Sequence, residues 1–361
     1  MRMAMRVWTV ATLMAGTALA VAAQQPATPQ AHHWALVLHG GAGVIERASM
    51  EPKMEAAYRA SIKQATEAAA KVLDGGGSAV DAVEAAIHIL EDDPLFNAGR
   101  GAVFTAEGKN ELDAAIMDGA TLKAGAVAGV TRTRHPISLA RAVMEKSPHV
   151  MLIGAGADAF AAEAGLEQVD PSFFFTERRW QSLVTQLKKE GRPVPQRPAG
   201  APPEPVSAVD PVGPMESEGA HKYGTVGVVA LDRNGNIAAG TSTGGTQAKR
   251  WGRVGDSPII GAGTYASNRS CAVSATGTGE YFIRLTVARE VCALVEYKGM
   301  TLQAAADQVI HKELEALKGD GGLIAITPDG QLAWSFNTPG MFRARMREGG
   351  KLEMGIYNDE P

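Results

Sequence analysis

The apolar and polar positions along the chain fall into segments of two periods. Trp34-Ala35-Leu36-Val37-Leu38 is a short continuous apolar run, as a buried strand requires, and His39-Gly40-Gly41-Ala42-Gly43 ends it. Met54 to Leu73 is Ala-rich with helical spacing and stops at Gly75-Gly76-Gly77. Ser78-Ala79-Val80-Asp81 predicts a helix start with Ser78 as cap and an acidic residue three positions on; Val83, Ile87 and Leu90 continue one face until Pro94. Ala102-Val103-Phe104, Leu112 to Met117 and Ala124 to Val130 read as sheet strands among many glycines. Helical spacing returns at about 138–146, 156–165 and 173–190.

The pattern then breaks. Pro193 to Glu218 holds eight prolines, no aromatic residue and few large apolar ones. Such a segment buries too little surface to fold, and 193–222 is expected to be a flexible linker. At Tyr223 strand character begins again, with Val226, Val228, Val229, Ala230 and Leu231. The turn Asp232-Arg233-Asn234-Gly235 leads to a second strand, Asn236 to Ser242, and then to a glycine-rich loop, Thr243 to Gly263. Cys271 to Thr276 is a further strand, Glu280 to Tyr297 and Leu302 to Leu317 are helices, and Leu323 to Phe336 is a hairpin around Thr327-Pro328-Asp329-Gly330. Hairpin-joined strands mixed with helices imply an α+β layered fold with a sheet rich in antiparallel pairs.

The first residues stand apart. Arg2 and Arg6 precede an apolar run, Val7 to Ala23, with small residues at two candidate cleavage sites, Ala18-Leu19-Ala20 and Val21-Ala22-Ala23. This is the form of a secretory signal, residues 1–23, and it is short for a membrane span. The protein is therefore expected to be exported, periplasmic or secreted, and free of the membrane after signal removal. Export permits a disulfide. The two cysteines, Cys271 and Cys292, can pair or stand as buried thiols, and the helix-like setting of Cys292 favours thiols.

Composition removes some functions. With 35 basic and 39 acidic residues the chain lacks the positive surplus that nucleic acid demands. It has no P-loop and no His-Glu-x-x-His, and two cysteines cannot build a zinc set. Gly240-Thr241-Ser242-Thr243-Gly244 matches the nucleophile-elbow spacing, but its strand runs into a loop instead of directly into a helix.

What remains is threonine beside glycine. In Gly224-Thr225-Val226-Gly227 a threonine opens a strand directly after the linker. Cleavage of the Gly224–Thr225 bond would make that threonine a nucleophile with its own base, because an α-amine has a pKa of about 7.7–8.0. A threonine at a strand start is also ordinary. If Arg233-Asn234-Gly235 is a three-residue loop, Asp232 pairs with Asn236 and Thr225 falls opposite Thr243; a two-residue loop shifts this by one. That juxtaposition also suits two threonines stabilising a strand pair. Arg253 and Asp256, in Arg253-Val254-Gly255-Asp256, suit the carboxylate and ammonium of an α-amino acid, or a surface ion pair. Thr276-Gly277-Thr278-Gly279 offers donors without bulk, as an oxyanion hole needs, or is a simple glycine turn.

Taken together these runs resemble the plant-type L-asparaginase and isoaspartyl peptidase family of N-terminal-nucleophile hydrolases. The matching stretches are Leu38 to Gly43, Pro94-Leu95-Phe96-Asn97-Ala98-Gly99-Arg100-Gly101, Leu112 to Gly119, Gly224 to Gly227, Thr241 to Gly245, Gly252 to Ser257, and Thr276 to Glu280. They occur in the family's order over about residues 34–340.

The resemblance implies a four-layer αββα sandwich and self-cleavage between Gly224 and Thr225. An α chain, 24–224, and a β chain, 225–361, would form one domain and assemble as an (αβ)2 heterotetramer. It implies Thr225 as nucleophile, Thr243 and Thr276 as its support, and Thr276 with Gly277 as oxyanion hole. Arg253, Asp256, Gly279 and Asn97 would hold the substrate. No cofactor is implied for catalysis. A structural sodium ion is implied on the backbone carbonyls of Leu90, Glu91, Asp93, Phe96, Ala98 and Arg100. The activity implied is hydrolysis of L-asparagine and β-aspartyl dipeptides through a β-aspartyl ester on Thr225, releasing aspartate. The alternatives are a glycosylasparaginase, a family that typically has Asp where this chain has Gly224, and an unprocessed periplasmic amino-acid-binding protein.

Overall fold

The computed structural model describes residues 33–203 and 224–360. The expected signal peptide, 1–23, and most of the expected linker, 204–222, lie outside the described residues. Strand β1 (Ala35–Gly43) is followed by helices α1 (Pro52–Asp74) and α2 (Ala79–Asp92), then by β2 (Leu112–Asp118), β3 (Ala124–Val130), α3 (Pro136–Lys146), β4 (Met151–Ile153), α4 (Gly154–Glu163) and α5 (Glu177–Lys189). After the break come β5 (Val226–Leu231), β6 (Ile237–Thr243), β7 (Thr264–Ala266), β8 (Ala272–Gly277), α6 (Gly279–Leu285), α7 (Val287–Lys298), α8 (Leu302–Gln308), β9 (Gly321–Ile326), β10 (Leu332–Phe336), β11 (Gly340–Arg347) and β12 (Glu353–Tyr357).

Two sheets result. Eight strands run in the order β12-β11-β1-β5-β6-β2-β3-β4, and four in the order β10-β9-β8-β7. Every pairing is antiparallel except β3 with β4.

The two-residue side-chain period sorts the strands into layers. Leu36, Leu38, Val226 and Val228 pack against Ile62 and Leu73 of α1 and Val83 and Ile87 of α2. Their neighbours Val37, Val229, Leu231, Ile237 and Ala239 face Ile324 and Ile326 of the smaller sheet. Beyond it Val273, Ala275, Leu323 and Ala325 pack on Val291 of α7 and Leu302 of α8. This is a four-layer αββα sandwich. Each large aliphatic side chain buried this way contributes roughly 1.5–3 kcal/mol.

Local chemistry explains several boundaries. Ser78 caps α2 in a full capping box: the Asp81 N–H donates to Ser78 Oγ at 3.1 Å, and the Ser78 N–H donates to Asp81 Oδ2 at 3.3 Å. The β5–β6 turn closes as a three-residue loop. The Asp232 N–H donates to the Asn236 carbonyl at 2.9 Å, Asp232 Oδ1 accepts from Asn234 and Asn236 N–H, and Gly235 takes φ +79°.

Other expectations are corrected. Ala102-Val103-Phe104 is not a strand. The side chains of Asn97, Gln247 and Asn110 satisfy the Val103 and Phe104 N–H groups and the Ala102 and Val103 carbonyls, and the backbones of Gly99 and Ala248 satisfy the Ala102 N–H and the Phe104 carbonyl, so it needs no ladder. The helix expected over 280–297 is interrupted at Thr286, whose left-handed φ of +49° separates α6 from α7. The helix from Leu302 widens into a π-turn, Val309–Leu314. Strands β11 and β12 had no counterpart in the sequence reading, yet β11 supplies the second neighbour of β1.

Cys271 and Cys292 form a disulfide instead of standing as thiols: packing of α7 on β8 brings their Cα atoms to 5.2 Å. Residues 193–203, at the head of the Pro-rich segment, pack on α5, where Arg197 pairs with Glu177 and lies 4.6 Å above the Phe175 ring. Among the described residues no helix is long and apolar enough to cross a membrane.

Candidate active site

The strand alternation that places Val37, Val229, Leu231, Ile237 and Ala239 between the sheets also places His39, Thr225, Thr241, Thr243, Ser274 and Thr276 there. One end of the inter-sheet layer is therefore polar. Pairs Val226↔Ser242 and Gly227↔Thr241 set the β5–β6 register, and its next step puts Thr225 opposite Thr243. Their hydroxyl oxygens are 2.9 Å apart. The Gly245 N–H donates to Thr243 Oγ1 at 3.0 Å, which leaves the Thr243 proton free to point at Thr225. Thr276 comes from the other sheet, is 1% exposed, and its hydroxyl has no hydrogen-bond partner among the described residues. A Cβ at Gly277 would collide with the Asp320 carbonyl and lie 2.6 Å from the Phe282 ring, so only glycine fits after Thr276.

Beneath Thr225 lies a buried polar chain that the sequence reading did not foresee. The His39 ring meets the Thr225 carbonyl through Nδ1 at 3.0 Å and Ser274 Oγ through Nε2 at 3.1 Å. A carbonyl only accepts, so Nδ1 carries the proton and Nε2 accepts from Ser274. Ser274 lies 2.7 Å from Thr241 Oγ1, which accepts from Thr264 at 2.6 Å. Burial pushes the His39 pKa down to about 3, with the Thr225 carbonyl opposing, so the ring is neutral as this arrangement requires. Gly227 now has a reason: a Cβ there would collide with Ser274 Oγ and His39 Nε2. The signal for His39 was a lone polar residue ending an apolar strand.

The Gly224 carbonyl accepts the Asn97 N–H at 2.9 Å. A Cβ at Gly41, where φ is +106°, would sit 2.5 Å from Gly224 Cα; one at Gly224 would sit 2.9 Å from Asn97 Cβ. The Asn97 side chain donates to the Gly245 carbonyl at 2.7 Å and accepts from the Val103 N–H at 2.9 Å. Asn97 thus ties the Gly224 junction to the Thr243-Gly244-Gly245 wall.

Arg253 and Asp256 converge on Gly279: a Cβ there would be 2.9 Å from both Arg253 Nη2 and Asp256 Oδ1. Asp256 is 5% exposed, and its Oδ2 has no hydrogen-bond partner among the described residues. Burial pushes its pKa up to about 7; Arg253 opposes the shift while Glu280 and Asp113 add to it. Behind them Lys249 Nζ lies 4.0 Å from the fully buried Asp113, whose pKa burial also raises. Neither Lys249 nor Asp113 was foreseen.

The six expected carbonyl ligands span the end of α2: Leu90 and Glu91 lie in its last turn, where helical carbonyls have no partner within the helix, and Asp93, Phe96, Ala98 and Arg100 lie in the loop beyond. A Cβ at Gly99 would collide with the Glu91 carbonyl oxygen, and one at Gly101 with that of Phe96. The glycines thus let the backbone approach the Glu91 and Phe96 carbonyls, and neutral carbonyl oxygens are a donor type that suits a hard cation such as sodium. Arg100 turns its guanidinium outward over the Phe173 ring, at 5.7 Å. The Glu91 side chain, given no part in the sequence reading, accepts from Ser242 Oγ at 2.6 Å and from the Ile137 N–H at 3.1 Å. It ties this loop to the residue beside Thr243.

The family model described as asparaginase matches residues 32–356. The chain is 49% identical over 325 residues to the isoaspartyl peptidase of Escherichia coli (strain K12), covering 90% of this chain and 96% of that protein. It is 41% identical over 317 residues to the plant-type L-asparaginase of Pyrococcus abyssi, covering 87% and 97%. It is 40% identical over 334 residues to the isoaspartyl peptidase/L-asparaginase of Rattus norvegicus, covering 92% of each.

Proposed function

Since the chain belongs to the asparaginase family, we propose that it is a self-cleaving amidohydrolase acting on β-aspartyl dipeptides and L-asparagine. The observation that carries the reading is the 2.9 Å approach of Thr225 and Thr243 hydroxyls, directly after a Gly224 carbonyl held by the Asn97 N–H. The names of the relatives support the two substrates.

In maturation Thr225 Oγ attacks the Gly224 carbonyl carbon. The peptide nitrogen leaves as the Thr225 α-amine, and the ester formed is hydrolysed by water to the Gly224 carboxylate. The Asn97 N–H is aimed at the oxygen where negative charge develops. The close approach of Gly41 and Asn97 to Gly224 leaves no room for a side chain there, which disfavours the Asp of the glycosylasparaginase alternative.

In turnover the freed amine takes the Thr225 hydroxyl proton. Oγ attacks the substrate's side-chain carbonyl, and the Thr276 hydroxyl and Gly277 N–H receive the oxyanion. That use accounts for a buried Thr276 hydroxyl with no partner among the described residues. Ammonia or an amino acid leaves with the proton, and water, deprotonated by the same amine, releases aspartate from Thr225. Arg253 binds the α-carboxylate and Asp256 the α-ammonium, at Gly279.

A sodium ion bound by the carbonyls of Leu90, Glu91, Asp93, Phe96, Ala98 and Arg100 would supply a fixed positive charge that holds the loop carrying Asn97. An (αβ)2 assembly, and export to the periplasm or medium after loss of 1–23, complete the proposal.

Intact-mass analysis and N-terminal sequencing test it. The smaller fragment should begin Thr-Val-Gly, and Thr225→Ala should remain one uncut, inactive chain. An active protein that stays uncut would overturn the mechanism.

A further inference from the structure

We propose that Glu280 is a positioning residue: it holds Arg253 so that the terminal edge of the guanidinium, Nη1 and Nη2, faces the substrate α-carboxylate. This deepens the hydrolase reading and rests on it.

Arg253 Nε donates to Glu280 Oε1 at 2.9 Å and Nη2 to Oε2 at 3.0 Å. That contact is bidentate and uses the lateral edge of the fork. Nη1 makes no hydrogen bond among the described residues. The terminal edge is instead bordered by residues without side chains. A Cβ at Gly255 would be 2.8 Å from Nη1, one at Gly245 3.5 Å from Nη1, and one at Gly279 2.9 Å from Nη2. The same point at Gly279 is 2.9 Å from Asp256 Oδ1, so an α-amino-acid head placed there meets both charges.

Glu280 is the second residue of α6, directly after Gly279, so the helix start delivers its carboxylate to the far side of the guanidinium. Its side chain is 57% exposed while that of Arg253 is 18% exposed, which puts Glu280 on the rim and the fork inside. The ion pair itself adds little stability at such exposure. Its effect is on binding: a long arginine stem already held in one rotamer loses little freedom when substrate arrives.

Steady-state kinetics of Glu280→Ala and Glu280→Gln on L-asparagine and on a β-aspartyl dipeptide test this. In Glu280→Ala, KM should rise about three- to tenfold for both substrates, with kcat within about twofold and self-cleavage unaffected. Glu280→Gln, which keeps one oxygen acceptor, should rise less and covers the case in which the alanine variant misfolds. On an Arg253→Lys background Glu280→Ala should add no further rise, because lysine has no fork to orient; a purely structural glutamate would add its full effect. An unchanged KM overturns the proposal, and a lowered KM does so by showing that Glu280 competes with substrate for Arg253. If the wild-type protein hydrolyses neither substrate, the hydrolase reading falls. Calorimetric binding of L-aspartate, which carries the same head group, then decides the role of Glu280: equal affinity of wild type and Glu280→Ala rejects it.

Discussion

Thr225 and Thr243 face each other across β5 and β6 with their hydroxyl oxygens 2.9 Å apart, and the Gly245 N–H occupies one acceptor site of Thr243. Either hydroxyl can carry the shared proton, and on the proposed mechanism it is Thr243 that donates and Thr225, as nucleophile, that accepts. Thr243→Val keeps the shape and removes the donor, so kcat should fall about 100-fold, with Thr243→Ser recovering most of it. Stability should change by only about 1 kcal/mol. A Thr243→Val enzyme with wild-type kcat would remove Thr243 from the mechanism.

Thr276 presents the opposite balance. Its hydroxyl is buried without a hydrogen-bond partner among the described residues, and such a group costs roughly 1–3 kcal/mol. Thr276→Val should therefore leave the melting temperature equal or raise it, while kcat drops about 100-fold. Thermal melts beside kinetics check this. A clear loss of stability would mean that the hydroxyl has a structural partner.

Gly227 is filled from outside. A Cβ there collides with the His39–Ser274 contact, and both residues are buried and flanked by sheet. Gly227→Ala should destabilise by about 1–3 kcal/mol and slow self-cleavage, since the His39 bond to the Thr225 carbonyl must shift. Chemical denaturation and the rate of chain splitting measure the two effects. Normal splitting in a destabilised protein would separate His39 from positioning the nucleophile.

On the proposed reading, Asp256 should govern the acid side of substrate binding. Burial raises its pKa to about 7 against the pull of Arg253, with Glu280 and Asp113 pushing further up. Below that pH the carboxyl is protonated and cannot pair with an ammonium, so KM should climb toward tenfold per pH unit. The sign for stability is the reverse of that for a paired carboxylate. An acid with a raised folded pKa contributes fully below its unfolded value near 4, and that contribution is lost as pH rises through about 7. Asp256→Asn should flatten both profiles. A KM that does not vary between pH 5 and 8 in the wild type would exclude ionised Asp256 from recognition.

How much of this was readable in the chain depends on the range of the interaction involved. The Thr225–Thr243 register was, to within one residue, because it is set by one turn: Asp232 holds Asn234 and Asn236, Gly235 supplies the positive φ, the loop proves to be the three-residue one, and a period of two carries the pairing to the strand ends. The capping box at Ser78 is equally local. The helix break at Thr286 was not, because its left-handed turn lets the Ala288 and Arg289 N–H groups reach the Ala262 and Gly261 carbonyls of a distant loop. The Cys271–Cys292 bond depended on how α7 lies on β8, which spacing does not define. His39 and Ser274 stand 235 positions apart and meet only because two separate sheets stack with those faces inward. The chain by itself determined where the candidate threonine and glycine runs lie and, to within one residue, how neighbouring strands align, since backbone geometry and turn residues act over a few positions. The tertiary structure alone decided which of those residues share a buried, low-dielectric layer. There His39 loses its charge, the Asp256 pKa rises to about 7, and Glu280 finds Arg253, because burial and side-chain contact are properties of the packed layers and not of any segment within them.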